Sequence, residues 1–194
     1  MHKHKISAVI LAGGRARRMG GEDKGLIHYQ QKPLIEHVLA RLRPQVDTLA
    51  INANRNLERY KKYGYAVFSD QLSDFQGPLA GISSALHNTR SPYLLIAPCD
   101  SPHLPLDLAE RLYKTLQQEH ADISIAFDGQ RQQPLFMLLK QNRQVSLDAY
   151  LQQDGLAVHR WLETEKVAVS DFSDQTKAFR NLNTTDDLRQ TQNP

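Results

Sequence analysis

Residues Ile6 to Leu11 form an apolar run that stops abruptly at a pair of glycines. A strand that is apolar along both of its faces has to be buried on both, as in parallel sheets covered by helices on each side. The residues that follow alternate helix and strand signals. Leu34, Ile35, Val38, Leu39 and Leu42 recur at helical spacing behind Pro33, a residue suited to the first helical position; Arg41 is expected on the exposed face of that helix. Thr48 to Asn52 and Tyr65 to Ser69 read as strands, Leu79 to Leu86 as a helix after the turn Gly77-Pro78, and Tyr93 to Ala97 as a strand stopped by Pro98. Leu108, Ala109, Leu112, Tyr113 and Leu116 mark another amphipathic helix. Ile123 to Phe127 and Leu135 to Leu139 read as two strands joined across Asp128-Gly129, a pair expected to be antiparallel. Val167 to Val169 reads as an edge strand and Thr185 to Leu188 as a short final helix. This order predicts a three-layer α/β/α fold, Rossmann-like, with a mostly parallel sheet and a small antiparallel element.

The length of 194 residues suits one domain with a sizeable core, and 40% hydrophobic with 23% charged residues is an ordinary globular balance. No apolar run approaches the roughly 20 residues of a membrane helix, so no membrane partner is expected. The basic start, Met1 to Lys5, is followed by too short an apolar stretch for a signal peptide. A single cysteine, Cys99, cannot form an intramolecular disulfide and fits a reducing, cytoplasmic location. It reads as a buried, inert thiol. The formal net charge of +3 suits an anionic ligand. No nucleic-acid-binding motif accompanies it, so nucleic acid is not expected as a partner.

The chemistry concentrates after the first strand, in Leu11-Ala12-Gly13-Gly14-Arg15-Ala16-Arg17-Arg18-Met19-Gly20-Gly21-Glu22-Asp23-Lys24. Paired glycines let a backbone approach a ligand closely, and successive free N–H groups can cradle phosphate oxygens. Arg18 and Lys24 add long cationic side chains at the same point. The spacing is that of neither a P-loop nor the G-x-G-x-x-G dinucleotide fingerprint. A mobile surface loop with solvated arginines would share these glycines. Its place directly behind a buried strand favours phosphate binding, because open α/β sheets bind ligands at the carboxyl ends of their strands.

Asp100 lies at such an end, behind the strand Tyr93 to Ala97. A carboxylate there can hold Mg²⁺, a hard cation that prefers oxygen ligands, or can instead cap the Ser101-Pro102 turn. Asn52 ends the second strand and Asp70 follows the third, so both face the same rim. They could meet a base or ribose, or could be local turn formers. Gly77 to Gly81 would let the backbone pass close to a base. Asn181 and Asn183 alternate along an extended segment and so share a side, or else cap a following helix.

The loop from Leu11 to Gly25 resembles the signature loop of nucleotidyltransferases that activate sugars and cofactors, and in its particular form that of the molybdenum cofactor guanylyltransferases. The likeness continues through Ile51-Asn52-Ala53-Asn54-Arg55, Gly77-Pro78-Leu79-Ala80-Gly81, Pro98-Cys99-Asp100-Ser101-Pro102 and Phe179-Arg180-Asn181-Leu182-Asn183-Thr184. It implies a single nucleotidyltransferase domain over residues 1–194, with a GTP-binding part at about 6–104 and a molybdopterin-binding part at about 105–190. It implies an enzyme that transfers GMP from GTP to the terminal phosphate of molybdopterin, with Mg²⁺ held by Asp100. Asp100, Lys24 and Arg18 would be catalytic. Leu11, Ala12, Gly13, Gly14, Lys24, Asn52, Asp70, Gly81 and Asp100 would bind GTP, and Asn181 with Asn183 would bind molybdopterin. Transient contacts with other proteins of cofactor synthesis and with acceptor molybdoenzymes are implied too. The alternatives are a molybdopterin cytidylyltransferase, a sugar-1-phosphate nucleotidyltransferase and, more remotely, a nucleotide-binding regulator without catalysis.

Overall fold

The structure, a computed structural model, describes residues 5–12, 23–71 and 77–182. Its strands are β1 (Ile6–Leu11), β2 (His28–Tyr29), β3 (Lys32–Pro33), β4 (Thr48–Asn52), β5 (Ala66–Phe68), β6 (Tyr93–Pro98), β7 (Ile123–Phe127), β8 (Gln132–Lys140) and β9 (Val167–Asp171). Its α-helices are α1 (Leu34–Leu42), α2 (Leu57–Lys61), α3 (Pro78–Asn88), α4 (Leu108–Gln118), α5 (Gln144–Leu151) and α6 (Val158–Leu162). Seven strands make one sheet in the order β5-β4-β1-β6-β8-β7-β9. The pairs β5/β4, β4/β1, β1/β6 and β7/β9 are parallel. Only β8 runs against its neighbours, β6 and β7.

Burial follows the pleat. Ala8 and Ile10 of β1, Leu95 and Ala97 of β6 and Leu138 of β8 point into one core, closed by Val38 and Leu42 of α1 and by Leu108, Leu112 and Leu116 of α4. Val9, Leu94, Ile96, Met137 and Leu139 point the other way, into a core closed by Leu79, Ile82 and Leu86 of α3, Leu147 and Leu151 of α5 and Trp161 of α6. Helices therefore cover both faces, as the unbroken apolar strands require. Each fully buried Leu, Ile or Val contributes roughly 1.5–3 kcal/mol of transfer free energy. The three-layer fold and its antiparallel exception agree with the sequence reading. Among the described residues no helix is long and apolar enough to cross a membrane.

Some details differ from expectation. Pro33 does not open α1 from within but precedes it, with φ −53° and ψ 143°, because it pairs with His28 in the small hairpin β2–β3. Arg41 is half-buried, its Nε donating to the carbonyl of Leu104 at 2.5 Å. The short helices α2, α5 and α6 bury only one or two side chains each and were not expected. The helix expected over Thr185 to Leu188 lies outside the described residues.

Two features of this sheet position a site. From β1 the chain turns to one side, to β4 and β5, whereas β6 enters on the other, so the strand order reverses beside β1. That reversal leaves a crevice above the carboxyl ends of β1 and β6. Secondly, the pairing of β7 with β8 jumps from Ile125↔Met137 to Ala126↔Gln133, a bulge that takes up Pro134, Leu135 and Phe136. The β6/β8 ladder ends at the same level, at Ile96↔Met137. Past it Ala97 and Pro98 stay paired with β1, and the sheet is parted on the β8 side just before Asp100. Bulges of this kind re-aim backbone at the rims of sites.

Candidate active site

Leu11 stands in register with Asn52 on one side and with Pro98 on the other, and Asn52 with Phe68. Backbone bonds extend this level beyond the strands. Ala12 N–H donates to the carbonyl of Asn52 at 2.8 Å, Cys99 N–H to that of Leu11 at 3.2 Å, and Ala53 N–H to that of Phe68 at 2.9 Å. The residues that follow β1, β4, β5 and β6 thus emerge along one rim. Leu11, Ala12, Asn52, Asp70 and Asp100, singled out from the sequence, all lie along it. Gly13, Gly14, Arg18 and Asn183 lie outside the described residues.

Lys24 opens a short 3₁₀ turn, Lys24–Leu26, and brings its Nζ to 3.3 Å from Oδ2 of Asp100, 76 positions along the chain. Asp100 is buried, and its Oδ1 has no hydrogen-bond partner among the described residues. Burial pushes the Asp100 carboxyl up, and Lys24 offsets part of that rise. A buried carboxylate with an unsatisfied oxygen is costly by itself and invites a cation. The described residues bring no three His, Cys, Asp or Glu side chains together as a metal cluster. The Asp100 carboxylate could hold a hard divalent cation, which prefers oxygen ligands. Cys99 beside it is buried, and burial with the neighbouring Asp100 raises its thiol well above the usual range, as an inert side chain requires.

Asp70 is held by two asparagines. Asn52 Nδ2 donates to Oδ1 at 2.9 Å and Asn54 Nδ2 to Oδ2 at 2.7 Å, while the Asp70 N–H donates to Asn54 Oδ1 at 2.9 Å. Asn54 was not singled out from the sequence, although its spacing of two from Asn52 places both on one side of an extended chain. The cluster orients a carboxylate whose oxygens each keep a further acceptor position. Gly81, in the first turn of α3, packs against the same asparagine. A Cβ at residue 81 would lie 2.7 Å from Asn52 Oδ1 and 3.0 Å from Leu11 Cδ2, so glycine is what lets α3 sit on the ends of β1 and β4.

The C-terminal block reaches the same rim. The Leu182 N–H donates to the carbonyl of Asp100 at 3.0 Å, and Ser101 Oγ donates to Asn181 Oδ1 at 2.6 Å. Phe179, edge-on to Phe136 at 4.9 Å and to Phe172 at 5.2 Å, anchors this segment beneath the bulge of β8. Asn181 therefore touches the turn that carries Asp100, and is not remote from the residues grouped around GTP in the sequence reading.

The chain matches the model of the MobA-like NTP transferase domain over residues 8–169. It is 48% identical to a molybdenum cofactor guanylyltransferase of Shewanella sediminis over 96% of this chain and 95% of that one. To a protein of the same name from Shewanella woodyi it is also 48% identical, again over 96% and 95%. Its fold superposes on the crystal structure of molybdopterin-guanine dinucleotide biosynthesis protein A from Archaeoglobus fulgidus with a TM-score of 0.78, at 25% identity over 95% of each chain.

Proposed function

Since the chain belongs to the MobA-like NTP transferase family, we propose that it is the molybdenum cofactor guanylyltransferase that its relatives are named for, moving GMP from GTP to molybdopterin. The terminal phosphate of molybdopterin attacks the α-phosphorus of GTP, with or without molybdenum already on the pterin. A new P–O bond forms as the bond to the β-phosphate breaks, and pyrophosphate leaves in line. The observation that carries this reading is the buried Asp100 at the strand-order reversal, one oxygen facing Lys24 and the other without a partner among the described residues.

Asp100 would hold the divalent ion, for which Mg²⁺ is the best fit. Such an ion would neutralise charge on the phosphate oxygens. Lys24 moves its ammonium from Asp100 onto the triphosphate, and Gly13, Gly14 and Arg18 complete the phosphate cradle. Leu11, Ala12, Asn52, Asp70 and Gly81 form the nucleoside side, with the Asp70 carboxylate accepting from guanine N–H or ribose hydroxyl donors. The acceptor approaches from the β8 side, over Asn181, and Asn183 is its second proposed contact. This division corresponds to a GTP-binding part at about 6–104 and a molybdopterin-binding part at about 105–190 of one domain. No proton need be removed, because the attacking phosphate is already anionic, so catalysis is positioning and charge neutralisation. Such an enzyme works in the cytoplasm, in transient contact with other cofactor-synthesis proteins and acceptor molybdoenzymes.

GTP is expected to exceed CTP in kcat/KM by more than about 10²-fold, since a site that hydrogen-bonds one base leaves polar groups unpaired with another. Steady-state pyrophosphate release with each nucleotide measures the ratio. Equal values would shift the reading to a cytidylyltransferase.

A further inference from the structure

Asp23, which directly precedes Lys24, is a buried carboxylate that the reaction itself does not use. Tyr60, fully buried on α2, donates its hydroxyl to Asp23 Oδ1 at 2.5 Å. Asn56 Nδ2 donates to Oδ2 at 3.0 Å, and Arg55 Nε stands 3.8 Å from the same oxygen. Burial raises the Tyr60 phenol far above its usual range, so this hydroxyl stays a donor. Asn56, at the start of α2, holds the left-handed conformation with φ 53°. That backbone state costs a side-chain-bearing residue free energy, and asparagine tolerates it best among them. Here it accompanies an amide aimed at Asp23.

The same hydroxyl sets the turn that carries Lys24. A Cβ at Gly25 would lie 2.6 Å from Tyr60 Oη and 3.5 Å from the Cβ of Cys99. The 3₁₀ turn therefore rests directly on the phenol, beside the segment leading to Asp100. The carbonyl of Asp23 accepts the N–H of Leu26 at 2.9 Å and closes the turn. Both ends of the Asp23 residue are thereby fixed, its carboxylate to α2 and its carbonyl to the turn. Of the two backbone positions next to Lys24, one is clamped by Asp23 and the other leaves no room for a side chain.

We infer that Asp23 and Tyr60 are positioning residues for Lys24, a clamp that holds its ammonium where it can exchange Asp100 for the triphosphate. This rests on the reading of Lys24 as a phosphate-binding cation. Neither Asp23 nor Tyr60 needs to touch substrate for the clamp to work.

A double-mutant cycle on the full chain tests it, with GTP, Mg²⁺ and molybdopterin as substrates and kcat/KM for GTP as the readout. Tyr60→Phe removes one hydroxyl and keeps the ring. It is expected to lower kcat/KM about 10-fold in the native background and less than about 2-fold on top of Lys24→Ala, the scale of one charge-assisted hydrogen bond acting through the lysine. Asp23→Asn, which keeps the Oδ1 acceptor for Tyr60, is expected to retain more activity than Asp23→Ala and serves as the second variant should Tyr60→Phe fold poorly. Equal losses in both backgrounds would overturn the clamp, since a merely structural role does not depend on Lys24. If Lys24→Ala alone costs nothing, it is the phosphate role of Lys24 that fails, which distinguishes the two.

Discussion

Asp100→Asn is expected to yield a folded protein whose guanylyl transfer is about 10²–10³-fold slower, the scale on which groups aimed at developing charge act. The substitution keeps volume and shape almost unchanged. It removes the charge that can face Lys24 and a divalent ion together, with Nζ at 3.3 Å from Oδ2. Burial already opposes ionisation of Asp100. The asparagine therefore loses ion binding without straining the fold, and thermal stability is expected to change little, because relief of a buried charge offsets loss of the Lys24 pair. Thermal melting together with Mg²⁺ titration of the rate measures both parts. Near-native Mg²⁺-dependent turnover in the folded variant would remove Asp100 from the metal site.

The second large effect is expected at Lys24. Lys24→Ala should cost about 10- to 150-fold in kcat/KM, corresponding to roughly 1.5–3 kcal/mol for a charge-assisted contact. The right comparison is Lys114→Ala. Lys114 is 63% exposed on α4 and pairs only at the surface with Glu110 at 2.6 Å. Such changes usually stay within about 0.5 kcal/mol. Arg41 is the poorer control despite its helical position, because it bonds the Leu104 carbonyl from a half-buried site. Steady-state kinetics on the two lysine variants decides the matter, and comparable losses would contradict a phosphate role for Lys24.

The apolar strands were legible in the sequence because parallel strands covered on both faces leave an unmistakable run, and the rim follows from where those runs stop. Asn52, Asp70 and Asp100 share that rim because β1, β4, β5 and β6 end at one level. What local patterns could not reveal were contacts between distant segments. Nothing near Asp23 announces Tyr60, 37 positions away, and nothing near Asn181 announces Ser101, 80 positions away. The bulge in β8 was equally hidden, since Gln132 to Lys140 alternates no more clearly with it than without it. The short helices α5 and α6 each bury two side chains, Leu147 with Leu151 and Trp161 with Leu162, too few to stand out from a loop. The bond from Ser101 to Asn181 also ties the C-terminal segment to the Asp100 turn, so replacing Asn181 is expected to disturb that turn.

Guanylyl transfer at this rim is measured most directly by pyrophosphate release from the purified chain given GTP, Mg²⁺ and molybdopterin, with the product identified by mass. One pyrophosphate and one molybdopterin guanine dinucleotide are expected per GTP consumed, with neither formed when any of the three is left out. GTP binding without pyrophosphate release in the complete mixture would contradict that transfer and leave a nucleotide-binding protein without the chemistry.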